Sequence, residues 1–201
     1  MARGGAALTH ARREEILSAC EQLYAERGFR DVTIKDIGNL TSFTRTSIYN
    51  YFETREEIFL ALLQREYAAW AADLAVLAGE PSGGAERLSQ GLAESLARRQ
   101  TMLRLMSTSL FEMEENSRTE ALADFKRAFF SVMVALDACV AAHCPALAAA
   151  ERESFRLAFL PFVYGVWPYS TVTEKQCAAM ELAGVTYDPP TVYDQVCRGR
   201  A

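Results

Sequence analysis

Apolar residues recur along this chain with the 3.6-residue spacing of helices, and no convincing period-two alternation occurs before the last fifteen residues. An all-α protein is expected. Ile16, Leu17, Cys20, Leu23 and Tyr24 form the stripe of a first helix, with Glu14, Glu15, Glu21 and Glu26 toward water and Gly28 as its stop. Thr33 can accept a backbone N–H as N-cap of a short second helix ending near Asn39 or Leu40. A turn through Thr41, Ser42 and Phe43 follows. Thr44 then caps a third segment, residues 45–51, which is polar apart from Ile48 and so expected to face mostly outward, while Phe52 closes the small core.

Thr54, Arg55, Glu56 and Glu57 spell a capping box before the apolar run Ile58, Phe59 and Leu60, opening a long fourth helix that runs to about Ala78. The strongest breaker is Gly79-Glu80-Pro81-Ser82-Gly83-Gly84. Beyond it, helical patterns cover residues 85–99, 101–114, 118–143 and 148–166. Pro161 falls inside the last of these and should kink or divide it, because proline removes a backbone donor. Tyr187-Asp188-Pro189-Pro190 breaks the chain again, leaving a short final helix over residues 191–198.

With 201 residues, half of them apolar, the chain can build one or two domains with a real core. Its net charge of −5 rules out a generally basic surface, and the first sixty residues hold eight basic and nine acidic side chains, so any contact with nucleic acid needs a local, salt-sensitive cationic face. No secretory pattern opens the sequence, and the most apolar later stretch, residues 67–77, is interrupted by Asp73 and is shorter than the roughly 20 residues of a membrane span. A soluble cytoplasmic protein without membrane contact is expected. Its five cysteines include no C-x-x-C pair and fit reduced thiols. Cys139, His143 and Cys144 lack a fourth ligand, so no metal site is expected. The only histidines are His10 and His143, and no nucleophile, base and orienting acid converge, which argues against an enzyme and calls for no cofactor.

Two short capped segments separated by a turn read as a helix-turn-helix, whose second helix enters the major groove and needs short or cationic polar side chains there. Arg45, Thr46, Ser47, Tyr49 and Asn50 meet that need; Thr44 and Arg55 are phosphate candidates, and Tyr51 is a packing group with an amphipathic ring. Thr33, Thr44 and Thr54 are caps first.

The ordered set Ile16-Leu17, Tyr24-Ala25-Glu26-Arg27-Gly28-Phe29, Thr33 with Ile37, Thr44-Arg45-Thr46-Ser47-Ile48-Tyr49, Tyr51-Phe52 and Thr54-Arg55-Glu56 resembles the DNA-binding domain of the TetR family of bacterial transcriptional regulators. The resemblance implies a three-helix helix-turn-helix domain, residues 1–56. A long fourth helix would join it to a helical effector-binding and dimerisation domain, residues 57–201. It also carries Thr33, Thr44, Arg45, Thr46, Ser47, Tyr49, Asn50, Tyr51 and Arg55 over as DNA-facing positions. The implied function is a ligand-responsive regulator, most often a repressor. It would act as a homodimer on a near-palindromic double-stranded operator with half-sites about one helical turn apart. A protein-binding adaptor or co-activator on the same fold is the alternative. The family usually has Ala-Gly-Val where this chain has Thr41-Ser42-Phe43, and often glycine where it has Thr46; Ser42 in a left-handed turn position would carry strain of about 1 kcal/mol.

The second domain offers large adaptable apolar side chains that suit an apolar or amphipathic effector: Met102, Met106, Phe111, Phe125, Phe129, Met133, Phe159, Phe162, Tyr164 and Trp167. Each taken singly reads equally as core. For the dimer interface the resemblance implies two late helices, and the counterparts are residues 148–166 and a C-terminal segment.

Overall fold

The computed structural model describes residues 2–198, and among these every regular element is helical. The order is α1 (Ala2–Glu26), a single 3-10 turn (Phe29–Asp31), α2 (Ile34–Asn39), α3 (Arg45–Ile48), α4 (Arg55–Ala78), α5 (Gly84–Ala97), α6 (Gln100–Glu115), α7 (Thr119–His143), α8 (Ala149–Ser170), α9 (Glu174–Ala183) and α10 (Val192–Arg198). The chain forms two compact units, Met1–Arg65 with Ser109–Ala128, and Glu66–Thr108 with Phe129–Ala201. The expected boundary at residue 56 marks the start of α4, whereas the division by packing falls further along that helix.

In the first unit the stripe of α1 is buried as its spacing requires: Ile16, Leu17, Cys20, Leu23 and Tyr24 meet Phe29, Val32, Ile37, Ile48, Phe52 and the start of α4. Tyr24 meets Phe59 edge-on at 5.4 Å between ring centroids, and Phe29 packs on Phe59 at 4.6 Å. Burial pushes the Cys20 thiol far above its ordinary pKa, so this cysteine is an inert core group. The glutamates of α1 are not simply solvated: Glu21 and Glu14 pair with Arg65 at 2.5 and 3.4 Å, and the Glu15 carboxylate accepts from the backbone N–H and the hydroxyl of Ser42.

Glu57, only 1% exposed, deserves separate treatment because a buried carboxylate needs partners. Thr54 Oγ1 accepts from its backbone N–H at 3.1 Å, as a capping box requires, but its carboxylate reaches past the cap residue to the Glu53 N–H at 2.9 Å. The other partner is Arg118, which donates from Nε at 2.6 Å, from a terminal nitrogen at 2.9 Å and from its backbone N–H at 3.0 Å. Burial pushes the Glu57 carboxyl up; the Arg118 side-chain bonds and the two backbone N–H groups outweigh it and hold the pKa below the ordinary carboxylate value.

The core of the second unit is drawn from α4 (Tyr67, Trp70, Leu74, Leu77), α5 (Leu88, Leu92, Leu96), α6 (Met102, Leu103, Met106), α7 (Val132, Leu136, Val140) and α8 (Phe159, Leu160, Val163, Val166). Trp70 donates from its ring nitrogen to Ser95 Oγ at 3.1 Å. His143 lies 2.9 Å through Nε2 from the Leu77 carbonyl at the end of α4, and Nδ1 accepts from the Gly83 N–H at 3.3 Å, so one imidazole ties off the breaker loop. Cys139 donates to the Leu74 carbonyl at 2.7 Å, and burial pushes its pKa up to about 11. Both side chains are thus structural groups of the α4 terminus.

Two features stand out along the C-terminal third. α8 is not divided at Pro161 but runs on through Pro168 to Ser170; Phe159, Leu160, Val163 and Val166 bury both sides of the proline and outweigh the lost backbone bond. α9 has no apolar stripe to betray it and buries no residue; it is marked only by its ends. Thr173 and Gln176 form a reciprocal capping box, and Gly184, at φ 66°, ends the helix in the left-handed region. Thr191 caps α10, accepting from the Asp194 N–H at 3.1 Å.

Candidate nucleic-acid interface and effector cavity

The interface is built by three local devices within the first unit. Thr33 caps α2, accepting from the Asp36 N–H at 3.2 Å while Asp36 Oδ2 accepts from the Thr33 N–H at 3.1 Å and from its hydroxyl at 2.5 Å. These bonds, the side-chain one first, hold the Asp36 carboxyl below its ordinary pKa. Gly38 lets α2 and α3 approach closely, since a Cβ there would stand 3.2 Å from both Cα and Cβ of Arg45. The turn between them is tied by the Thr41 hydroxyl, 3.1 Å from the carbonyls of Gly38 and of Phe43, and by Glu15. Ser42 carries no left-handed strain, because among the described residues only glycines have positive φ. A hydrogen-bonded acid from α1 replaces the glycine that the turn was expected to need.

α3 is shorter than expected: its helix ends at Ile48, and residues 49–51 continue as a turn. Ile48 is fully buried and fixes which way the segment faces. Thr44, Arg45, Thr46, Tyr49 and Asn50 are exposed, and Ser47 and Tyr51 are half-buried. Thr44 occupies the N-cap position without its side chain bonding the helix N–H groups; instead its hydroxyl lies 3.0 Å from that of Ser47. Arg45 reaches the Tyr49 hydroxyl at 3.4 Å, and the two lie along one outward row, one helical turn apart. Sequence reading missed α1's contribution: Arg12 lies over the Phe43 ring at 5.5 Å, and Arg13 lies over Phe52 at 4.4 Å while donating to the Tyr51 carbonyl at 3.3 Å. The signal was the Arg12-Arg13 pair itself, three residues before the apolar stripe begins.

Arg55, expected at a phosphate, has its guanidinium engaged within the unit. Its guanidinium lies 4.6 Å over Phe29 and donates to the carbonyls of Phe29, Arg30 and Val32 at 3.0, 3.2 and 3.4 Å, with Glu56 at 2.6 Å. It closes the 3-10 turn and is a folding group. Thr33, though exposed, has its hydroxyl committed to the cap.

The second unit holds two apolar hollows. One, of about 560 Å³, is lined by Leu88 and Leu92 of α5, Val140 of α7, Phe155, Phe159 and Phe162 of α8, and Gln195 and Val196 of α10. Phe155 and Phe159 stack there at 5.2 Å, with Phe162 6.0 Å beyond. The other, of about 530 Å³, is lined by Phe129 and Met133 of α7 and by Arg156, Leu157, Leu160, Pro161 and Tyr164 of α8. The expected pocket residues therefore divide. Phe159 and Phe162 line the first hollow, and Phe129, Met133 and Tyr164 the second. Met102 and Met106 are buried core, Phe125 is buried within the first unit under Lys126, and Phe111 is 83% exposed. Trp167 is half-buried and lines neither hollow. Among the described residues no group of acids, histidines and cysteines is arranged to hold a metal ion, and no helix is long and apolar enough to cross a membrane.

Two family models match successive parts of the chain. Residues 16–62 match the family model described as bacterial regulatory proteins, tetR family, and residues 64–190 match that described as tetracyclin repressor-like, C-terminal domain. The chain is 34% identical over 61 residues to the HTH-type transcriptional repressor NemR of Escherichia coli, a match covering 30% of this chain and 31% of that protein. It is 32% identical over 59 residues to the HTH-type transcriptional repressor AcnR of Corynebacterium efficiens, covering 29% and 31%. The chain thus spans about a third of the length of the curated relatives it matches. Solved structures resemble it over nearly its full length. The fatty acid degradation regulator FadR from Bacillus halodurans has a TM-score of 0.61 at 14% identity, covering 93% of each chain. FadR from Bacillus subtilis, in complex with stearoyl-CoA, has a TM-score of 0.60 at 14% identity, covering 92% of this chain and 95% of its own.

Proposed function

The chain belongs to the TetR family of bacterial regulatory proteins, and from that premise we propose that it is a sequence-specific, ligand-responsive transcriptional repressor acting as a homodimer on a near-palindromic operator in the cytoplasm. The observation that carries the reading is the outward row of Thr44, Arg45, Thr46, Tyr49 and Asn50 over a fully buried Ile48. That arrangement offers hydroxyl, amide and guanidinium groups to base edges and phosphates from a segment that cannot roll without exposing its core residue. Arg12 and Lys35 add cationic charge for the backbone of the duplex, while Arg55 and Thr33 act by holding the unit together.

Dimerisation is supported by α7 and α8, the last two long helices. Phe130 and Leu157 are 63% and 68% exposed, Val134 is exposed as well, and the 530 Å³ groove lies between these helices. α7, rather than a C-terminal segment, is then the partner of α8 in the interface, because α9 is only ten residues long and buries nothing. An effector acts by binding the DNA-competent and DNA-incompetent states of the dimer unequally. The structural neighbour solved with stearoyl-CoA has the same fold, and the 560 Å³ hollow of this chain suits an effector with an extended apolar part.

The test is a gel-shift titration of purified protein on the DNA upstream of its own gene. A sequence-specific shift that weakens steeply with salt, and that Arg45→Ala weakens about tenfold, is the expected result. Absence of a shift on any neighbouring intergenic fragment overturns the reading and leaves a protein-binding adaptor in its place.

A further inference from the structure

Resting on the reading of the chain as an effector-responsive regulator, we infer that the 560 Å³ hollow closed by α10 is the effector site and that its ligand is an uncharged lipophile, a long-chain alcohol or hydrocarbon, not a fatty acid or an acyl thioester of a phosphorylated carrier. No lysine, arginine or histidine is among the lining residues. Arg87, on the same helix as Leu88, is held by Glu80 at 2.8 Å and by Glu94 at 3.4 Å. The one carboxylate of the lining, Glu86, is exposed in the first turn of α5, so its negative charge would repel an anion at the rim.

The hydrogen-bond donors of Ser89 and Gln195 in the wall face the protein. Ser89 donates to the Glu86 carbonyl at 2.9 Å, and Gln195 turns its amide nitrogen toward the end of α8, 2.5 Å from Ser170 Oγ and 3.3 Å from the Val166 carbonyl. Gln195 therefore anchors α10 over the hollow through its amide nitrogen, and its amide oxygen, which can only accept, offers nothing to a carboxylate. What remains for the ligand is the stack of Phe155, Phe159 and Phe162 with the leucine side chains of α5. An ionised carboxylate brought among these groups loses its water and gains no partner. A neutral chain loses little, and a single hydroxyl can stay at the open edge.

Isothermal titration calorimetry on the full chain without DNA tests this with three probes of one length: dodecanol below its solubility limit, and dodecanoate at pH 8 and dodecyltrimethylammonium below their micelle concentrations. Dodecanol is expected to bind at least tenfold more tightly than either ion. Ala158→Trp, which fills the hollow from an exposed lining position, should weaken dodecanol at least tenfold while leaving the circular-dichroism melt unchanged. Equal or tighter binding of the carboxylate or the cation overturns the inference, as does failure of all three probes or dodecanol binding that Ala158→Trp leaves intact. Because ligand binding is read without DNA, a chain that binds dodecanol but shifts no operator would sink the regulator reading alone. One that shifts its operator but ignores dodecanol would sink only this one.

Discussion

The outward face of residues 44–50 and the outward faces of α7 and α8 are both left uncovered by the chain, yet water treats them oppositely. Around α3 the uncovered groups are hydroxyls, an amide and a guanidinium, which water solvates well, so this surface can stand open until a polyanion displaces that water. On α7 and α8 they are Phe130, Val134 and Leu157, whose exposure costs about 25 cal/mol for each Å² left in water. The first surface suits an occasional partner and the second a permanent one. The lesson is that exposure alone does not distinguish a switchable contact from an obligate contact, whereas the polarity of what is exposed does.

The largest effect should come from breaking the second surface. Replacing Phe130 and Leu157 together by aspartate should dissociate the dimer by a hundredfold or more in sedimentation equilibrium, and operator affinity should fall with it as only half-sites are held. A protein that stays dimeric would erase the contrast.

Next is Glu57→Gln, which leaves Arg118 without its buried counter-charge. It should lower stability by about 2 kcal/mol in urea denaturation. Because the folded carboxyl titrates below its ordinary value, its contribution is complete above the unfolded pKa near 4.5. It is lost as pH falls through the lower folded value, so the acid limb of the stability curve should flatten in the glutamine variant.

Arg45→Ala should cost about 1–2 kcal/mol of operator binding with no change in melting temperature, the signature of a side chain kept for a partner. The smallest effect sharpens the same line: Thr33→Ala should cost about 1 kcal/mol of stability through the lost cap and leave the salt dependence of DNA binding unchanged.

How much of this was legible depended on whether a residue's task was local. Thr33, Thr54 and Gly28 announce helix ends from sequence alone, and Ile48 in a polar run fixes the face of α3, so the first four helices are found in order, with only α3 ending earlier than its pattern suggests. Long-range tasks were hidden. Nothing beside Glu15 in the chain says that it serves Ser42, and nothing beside Arg55 says that its charge is spent on three carbonyls. The effector residues were hidden for a related reason. Helical period tells that Met102 and Phe159 face inward, but only the packing of four helices tells that one meets core and the other a hollow. α9 escaped because a helix that buries nothing has no period to read, although its capping box and terminal glycine were in plain sight.

The close approach at Gly38 bears on how such a protein could be retargeted. A Cβ at Gly38 would stand 3.2 Å from Arg45, so a side chain placed there would need the start of α3 to give way slightly. Positions 44, 46 and 50, by contrast, face outward around the locked Ile48 and can be exchanged singly. On the proposed reading the segment is a cassette: operator preference would change at its exposed positions, while its bearing is set by the close approach at Gly38.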